Sequence, residues 1–455
     1  MRRAFAAGPL IAVGLVVPAV AEPTPAASAV PQGDVLRLTV DVAVARAVAA
    51  SPRLARLSAL EVGAAAEARG ARAERWPHLE LDAAYTRRSE VPELAIFTPT
   101  DDPARPVERV VVFPNIQDNW RVRAGMAMPL FTGGRVSERI TAADQGRAAA
   151  AEELRAGRAD LVLETKRGYW SLVAARENER VLQDSIRAYD AHVQDARNRE
   201  LVGMAARNEV LAVEVERDRA EFERLRAEAD ADVAEAILQR LLALPPETRI
   251  EPAEPFDAPP FPRPEIEALV KEAQADRPER RGLAARVAAA DAAASAERGA
   301  RLPQLALSGG YTYANPNRDI VPPTADWMDN WEVGVGMAWS VFDGGKRSAG
   351  EARARAQADA VREELEELSQ AIRLEVTQHA LELRTAQARL AVAERSVLSA
   401  AEGHRVAADR YREGVIPSAE LLDAELAHER AALARTQALA ALRLAGAGLD
   451  RATGR

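Results

Sequence analysis

The sequence has no cysteine, few aromatic residues and no long apolar run beyond its N-terminus, and each absence limits what the protein can be. Without cysteine there can be no disulfide framework and no lipid on an N-terminal thiol. The net charge is −9, and no basic stripe is present that could bind nucleic acid. After residue 21, no window of about 18 consecutive apolar residues occurs, so we expect no membrane-spanning helix.

The N-terminus is the one strongly apolar part of the chain. Two arginines precede an apolar stretch from Ala4 to Val20, and Ala19-Val20-Ala21 supplies the small residues of a signal-peptidase site. Because this stretch is short for a spanning helix, we expect a secretory signal peptide over residues 1–21 rather than a membrane anchor. The mature protein is therefore expected to be exported.

Two sequence blocks each occur twice, which indicates an internal duplication. Residues 119–134 read NWRVRAGMAMPLFTGG and residues 330–345 read NWEVGVGMAWSVFDGG, while WPHLELDAAYT at 76–86 matches LPQLALSGGYT at 302–312. The copies are 226 positions apart in the upstream block and 211 apart from Asn119 onward. The difference of 15 residues falls between Thr86 and Asn119, so we expect a surface loop there, longer in the first copy.

The duplication and the proline content divide the chain into segments. We expect a first repeat over residues 22–243 and a second over 265–455, after the signal peptide. Between them, residues 244–264 are dense in proline, which excludes a helix or a central strand. This segment is interpreted as an extended connector between the two halves.

Four segments alternate between apolar and polar residues, which is the pattern of a strand with one apolar face. The expected strands span about 78–87, 119–131, 304–313 and 330–342. Aromatic residues that could form an interfacial girdle lie near strand ends: Tyr85, Trp120, Tyr311, Trp331 and Trp339. His78, Glu80 and Asp82 alternate with the apolar positions and are expected to face a lumen.

A soluble sandwich would also use such strands, but segments of about ten residues in an exported chain favour an outer-membrane barrel. Four strands cannot close a barrel, because the smallest bacterial barrels have about eight. An open sheet edge in lipid leaves its amides without partners. We therefore expect the barrel to be shared between chains, with three chains supplying about twelve strands.

Two very long helices are expected after the strands. Residues 134–201 and 345–413 contain no proline and are rich in Ala, Glu, Arg and Leu, which gives about 100 Å of helix each. Glycines end them at Gly203 and Gly414, where a left-handed turn is possible. Return helices are expected at 208–242 and 418–449, and half-length helices at 41–76 and 265–302. Each repeat thus holds two strands and a helical hairpin, about 134–242 and 345–449.

The repeated strand–Gly-Gly–helix blocks and the segment RYREGVIPSAELLDAE at 410–425 resemble the TolC family of outer-membrane efflux proteins. The resemblance covers about residues 36–450 in both copies. It implies a mainly α fold with membrane β-strands, in which four strands per protomer contribute to a shared 12-stranded barrel. A long α-helical barrel would continue it across the periplasm. The resemblance further implies a passive homotrimeric duct in outer-membrane lipid, without a cofactor and without enzymatic activity.

The resemblance also carries over gate positions near the second tip glycine. Glu420 and Asp423 match two acidic positions that ring the periplasmic constriction, and in a trimer they supply six carboxylates that favour cations. Tyr411 matches a tethering tyrosine, and Glu209 matches its acidic partner. Ile416 stands where a relative has an arginine, so one bond of the closed state is in doubt. The first copy has Ala212 and Glu200 at the positions of Asp423 and Tyr411.

The family's partners dock at the helical tips, here Val202, Gly203, Met204, Gly414, Val415 and Ile416. The resemblance implies a periplasmic adaptor (membrane fusion) protein and an inner-membrane pump of RND, ABC or MFS type. Two other classes remain as alternatives: a periplasmic adaptor and a coiled-coil scaffold, neither of which needs four amphipathic strands. No phosphate loop, zinc pattern or catalytic triad occurs, and the five histidines do not pair at metal-ligand spacing.

Overall fold

The computed structural model describes residues 35–99, 101, 107–258, 261–262 and 265–455. The expected signal peptide lies outside the described residues. Within them the chain forms eight strands and eight helices. The strands are β1 (Leu36–Leu38), β2 (His78–Arg87), β3 (Leu94–Pro99), β4 (Val107–Phe113), β5 (Asp118–Phe131), β6 (Ile250–Pro252), β7 (Gln304–Asn315) and β8 (Met328–Ala338). The helices are α1 (Val40–Ala50), α2 (Pro52–Ala73), α3 (Arg135–Leu201), α4 (Arg207–Leu241), α5 (Ile266–Asp276), α6 (Pro278–Gly299), α7 (Lys346–Arg412) and α8 (Ser418–Thr453).

One antiparallel sheet contains the four amphipathic strands in the order β2-β5-β7-β8. The central pair β5–β7 joins the first copy to the second, with Ala124 opposite Tyr311. Strand β8 ends at Ala338, four residues before the expected end, because its partner β7 begins at Gln304 and Gln304 pairs with Ala338. Beyond that point no strand on that side can accept the ladder hydrogen bonds.

The segment between Thr86 and Asn119 is not simply a loop, which corrects the sequence interpretation. It contains β3 and β4, which pair antiparallel from Leu94↔Phe113 to Pro99↔Val107. The run Val110-Val111-Val112-Phe113 has high strand propensity, but its apolar residues are consecutive rather than alternating. The extra length of the first copy therefore builds a second, two-stranded sheet beyond the far end of β2 and β5.

The long helices α3 and α7 each contain 67 residues. Both begin after a glycine pair with positive φ, where Gly134 and Gly345 are the N-caps. Gly133 needs its missing side chain for a second reason, because a Cβ there would lie 2.4 Å from the Gly299 carbonyl oxygen. The repeated Gly-Gly motif thus turns each strand sharply into its helix, with the first copy packed against the end of α6.

The half-length helices are each broken in two, which also differs from the sequence interpretation. Expected helix 41–76 is α1 and α2, and expected helix 265–302 is α5 and α6. The breaks fall at Ser51-Pro52 and Arg277-Pro278, where the residue before proline is extended (ψ of 116° and 123°). Proline disfavours the helical conformation of its predecessor but starts a new helix readily.

The connector between the halves is tied to the helices by a short parallel sheet. Strand β6 pairs with β1, and Tyr169 in α3 donates a hydrogen bond to the Leu38 carbonyl oxygen at 3.0 Å. The largest buried cluster lies here, where α1, α2, α3 and α4 pack around Tyr169, Leu172 and Leu238. None of the described helices is long and apolar enough to cross a membrane.

Candidate gate, hairpin tips and membrane-facing sheet

The apolar face of the four-stranded sheet is exposed in the single chain. Leu79, Leu81, Val333, Val335 and Met337 are between 65% and 82% exposed. These residues alternate with polar or small ones along β2 and β8, so they share one face. A contiguous apolar sheet face of this kind needs lipid or another apolar surface against it.

The aromatic residues occupy different levels of this face. Tyr85 and Trp120 are paired in the ladder at the far end of β2 and β5, with ring centroids 4.3 Å apart. Tyr311 and Trp331 are also directly paired, four residues nearer the helices. Trp339 lies just past β8 at the helix-proximal end, where its indole donates to the Arg301 carbonyl oxygen at 3.1 Å. Aromatic side chains therefore occur at both ends of the sheet.

The opposite face is polar. Arg123 on β5 forms a 2.6 Å ion pair with Glu332 on β8, reaching across β7 at Gly310. His78, Glu80 and Asp82 are exposed, and Asp82 pairs with Arg123 in the ladder. The absence of a side chain at Gly310 makes room, because a Cβ there would lie 3.2 Å from both charged groups. This face suits a wet lumen.

The two helical hairpins end in turns that use the same backbone device. Gly203 and Gly414 have φ of 75° and 74°, and no atom of the described residues lies within 4 Å of where a Cβ would be. Val202, Met204 and Val415 are 69%, 73% and 60% exposed, so the tips present apolar side chains to solvent.

Ile416 differs from the other five tip residues. It is 7% exposed and packs in a small cluster with Tyr411 and Leu421. Because it is buried within its own hairpin, it fits a role in holding the tip together better than the docking contact expected from the sequence.

Glu420 and Asp423 lie in the first turns of α8 and are both exposed. They are three residues apart and share one face of the helix. Negative charges near the N-terminus of a helix are favoured by its dipole. The structure therefore places the two predicted gate carboxylates side by side, facing away from the body of the chain.

Tyr411 is buried against α3, where it contacts Arg199. The Arg199 guanidinium lies 4.0 Å from the centre of the Tyr411 ring and donates to the Tyr411 carbonyl oxygen at 2.7 Å. Burial raises the pKa of the Tyr411 phenol. Glu209 instead accepts a hydrogen bond from the Ala206 amide at 3.4 Å, in the cap of α4. Among the described residues, the Tyr411 hydroxyl has no hydrogen-bond partner.

Three histidines that are scattered in the sequence lie close together in the structure. His192 of α3 and His404 of α7 converge on Glu425 of α8, and the ring of His428, also on α8, stacks on His404. His192 and Glu425 are 1% and 7% exposed in their side chains, with Nδ1 and Oε2 2.9 Å apart. Counting outward from Gly414, His404 and His428 lie at comparable heights on the two arms of a hairpin, a signal that could have paired them. Nothing in the sequence indicates which face of α3 meets α8.

The described residues contain no group of three histidine, aspartate or glutamate side chains able to hold a metal ion. A sheet with one apolar and one polar face, set on long helical hairpins, is typical of membrane-inserted channel proteins. Within that class, the family model for outer membrane efflux protein matches residues 43–244 and 269–455. The chain belongs to this family, and the match covers most of both repeats.

Similar proteins agree with this assignment. Protein CyaE of Bordetella pertussis is 32% identical over 170 residues, which are 37% of this chain and 35% of CyaE. The match thus spans about a third of the length of that relative. The structure of the outer-membrane channel OprN superposes with a TM-score of 0.74 at 22% identity, over 91% of this chain and 89% of that chain. The open state of the Neisseria gonorrhoeae MtrE outer membrane channel gives 0.75 at 18% identity, over 91% and 88%.

These findings confirm the predicted fold class and family. The two structural matches are below 25% identity and show the fold, while the family match shows what kind of protein this is. The protein is an outer membrane efflux protein, a kind of protein that is not an enzyme.

Proposed function

We propose that this chain forms a passive homotrimeric duct that spans the outer membrane and the periplasm. Its periplasmic end is a gate made by Glu420, Asp423 and Tyr411 with the hairpin that carries Glu209. It works with a periplasmic adaptor protein and an inner-membrane pump of RND, ABC or MFS type, as the outer component of a tripartite efflux or type I secretion system.

The observation that carries this proposal is the incomplete sheet. Strands β2 and β8 are its edges, and in the described residues neither has a partner on its outer side. In lipid, an unpaired edge costs several kcal/mol for each unsatisfied amide. All four strands are antiparallel, so β8 of one chain can continue onto β2 of another without changing the pattern. Three copies supply twelve strands, which suffices for a pore.

The helices support the periplasmic part of the proposal. At 67 residues each, α3 and α7 extend about 100 Å from the sheet. Both hairpins therefore point the same way and end far from the membrane, where exposed apolar tips are available to a partner. The exposed carboxylates Glu420 and Asp423 lie at that end, where an axial constriction would select for cations.

The absence of native cysteine allows a direct test of the sheet's surroundings. We expect Val335→Cys, on the apolar face, to resist a membrane-impermeant maleimide in intact outer membranes. Glu332→Cys, on the polar face of the same strand, should react through the water-filled lumen. Both variants should migrate as trimers after chemical cross-linking and should be extracted only by detergent.

The two alternative classes of protein predict a different labelling pattern. A periplasmic adaptor or a coiled-coil scaffold places both faces of β8 in water or in protein. Equal labelling of Val335→Cys and Glu332→Cys, together with recovery in a soluble periplasmic fraction, would contradict the duct.

A second experiment tests the docking tips. Gly414→Arg places a long charged side chain where open space exists and should lower adaptor capture by at least about tenfold. Gly414→Asn is the matched control, because asparagine tolerates positive φ and adds little bulk. Capture is measured by co-purification with a periplasmic adaptor protein. If the arginine variant still binds the adaptor as the control does, the tip is not the docking surface.

A further inference from the structure

One buried polar cluster joins the two helical hairpins. Its polar residues are not part of the proposed gate, although Tyr411 of the gate borders the cluster. His192 on α3 contacts two residues of α8: Nδ1 is 2.9 Å from Glu425 Oε2, and Nε2 is 2.9 Å from Ser418 Oγ. The Tyr411 ring lies against the imidazole with centroids 5.3 Å apart. Ser418 is the first residue of α8, two positions from Glu420. The cluster therefore links the outer hairpin to the helix that carries the gate carboxylates.

Glu425 is an unusual buried carboxylate. Its side chain is 7% exposed, yet among the described residues no lysine or arginine lies within ion-pair distance. Within the part of the chain that the structure describes, its basic neighbours are His192 at 2.9 Å and His404, whose Nε2 lies 4.0 Å from Oε1. A buried charge is costly unless a partner neutralises it. Among the described residues, an opposite charge beside Glu425 can therefore come only from a protonated imidazole.

Proton gain strengthens the contact between the hairpins. A neutral imidazole can donate from Nδ1 to Glu425 and accept from the Ser418 hydroxyl at Nε2. A protonated imidazole donates at both nitrogens, and the Ser418 hydroxyl rotates to accept. The bond to Glu425 then joins opposite charges, and such bonds are roughly twice as strong as neutral ones. When the hairpins separate, the imidazolium loses this buried partner, so acid favours the joined state.

The other charged groups around the cluster come from four helices. They are Tyr189, Asp195 and Arg199 on α3, Glu209, Glu216 and Arg219 on α4, His404 and Tyr411 on α7, and His428 and Glu429 on α8. Arg199 is held by Asp195 and Tyr411, at 3.1 Å and 2.7 Å. It therefore does not neutralise Glu425.

Two of these groups respond to acid, in opposite directions. Burial raises the pKa of Glu429, which accepts from Tyr189 across the same interface at 3.1 Å, so the joined state also binds this proton more tightly. Burial and the neighbouring His404 lower the pKa of His428, whose ring stacks on His404 at 5.8 Å. A positive charge on His428 is therefore disfavoured in the joined state, which opposes the gain from Glu429. A cavity of about 380 Å³ lined by Tyr189, His404 and His428 gives water access to the cluster.

We propose that His192 is a positioning residue of the gate: protonation of its imidazole fastens α8 to α3 through Glu425 and Ser418, so that acidification holds the periplasmic end closed. The inference that this contact acts on a gate rests on the proposed function. The inference that protonation of His192 tightens the contact between α3 and α8 does not. We name His192, Glu425 and Ser418 the proton latch.

The test measures the separation of the two hairpin tips directly. Val202→Cys and Val415→Cys are introduced together into the full chain, spin-labelled, diluted with unlabelled chains, and examined by double electron–electron resonance. We expect the population with short tip distances to rise roughly three- to tenfold relative to the population with long distances between about pH 8 and pH 5.5. This is the size of effect that one imidazole gaining one charge can produce. The variants His192→Gln and Glu425→Gln, which keep hydrogen bonds without the charge pair, should remove most of this rise.

Matched variants separate the latch from other titrations. His379→Gln, at a histidine remote from the cluster, should keep the full pH response, whereas Glu429→Gln should lose only the part that the Glu429 proton contributes and keep the rest. A wild-type distance ratio that does not change with pH overturns the proposal, and so does a response that survives undiminished in both latch variants or vanishes in Glu429→Gln. Bilayer currents report separately: a pH-dependent distance without any current overturns the duct and leaves the latch intact.

Discussion

Replacing Gly133 by alanine should prevent assembly of the protein. The new Cβ would lie 2.4 Å from the Gly299 carbonyl oxygen and 2.8 Å from the Leu302 Cβ, and φ of 64° adds strain for any L-residue. The oxygen belongs to backbone at the end of α6, so it cannot swing away as a flexible side chain would. We expect a loss of about 3 kcal/mol or more per chain, seen as a lower thermal midpoint in detergent and few cross-linked trimers.

Gly146→Ala is the matched control on the same helix. Nothing lies within 4 Å of its would-be Cβ, and it sits in the interior of α3. This substitution should leave assembly unchanged or raise stability by about 0.5–1 kcal/mol, because alanine favours the helix. Equal behaviour of the two variants would mean that the strand-to-helix turn is not as constrained as described.

Neutralising the proposed constriction should have the second large effect. In a trimer, Glu420→Gln with Asp423→Asn removes six carboxylates from one end of the duct. Because several like charges at one constriction attract divalent cations jointly, we expect block of single-channel current by divalent cations to weaken by at least about tenfold. The measurement is the concentration for half-block in a planar bilayer.

Glu364→Gln with Glu367→Gln tests whether position matters. This pair has the same spacing and charge change and is exposed on α7, about 70 Å of helix from the tip. Cation block in this control should match the unmodified protein. If the two double variants have the same cation concentration for half-block, Glu420 and Asp423 do not form the constriction.

The elements that could be predicted from sequence have a repeated local pattern. Alternation in 119–131 and 330–342 and unbroken helix-forming runs between glycines are visible residue by residue, because they reflect the periods of strand and helix. Pro52 and Pro278, which break the half-length helices, occupy equivalent positions in the two copies. The strongly helix-forming residues on both sides of each proline favour the expectation of one continuous helix. The strand β4 was missed because its apolar residues are consecutive rather than alternating.

The contacts between helices could not be predicted in the same way. Whether His192 meets Glu425 depends on how α3 is rotated toward α8, and their separation of 233 positions gives no local signal. The contact of Tyr411 with Arg199, one turn before the tip, has no local signal either, because the resemblance names Glu209 as the partner and gives no packing angle. Predicting which site residues meet between long helices therefore requires the rotation and packing angle of each helix. Neither composition nor hydrophobic periodicity contains that information.

The strand order β2-β5-β7-β8 has a consequence for symmetry. Inside the chain, β5 of the first copy meets β7 of the second, and in the proposed trimer β8 of the second copy meets β2 of the first. Both seams join the trailing strand of one copy to the leading strand of the next, so the ring has pseudo-sixfold character. Linking copies in pairs reduces the bodies that must associate from six to three, which lowers the entropy lost on assembly. The helical ends can then differ between the two copies. In the proposed trimer the wall would have pseudo-sixfold symmetry, and the periplasmic end would have threefold symmetry.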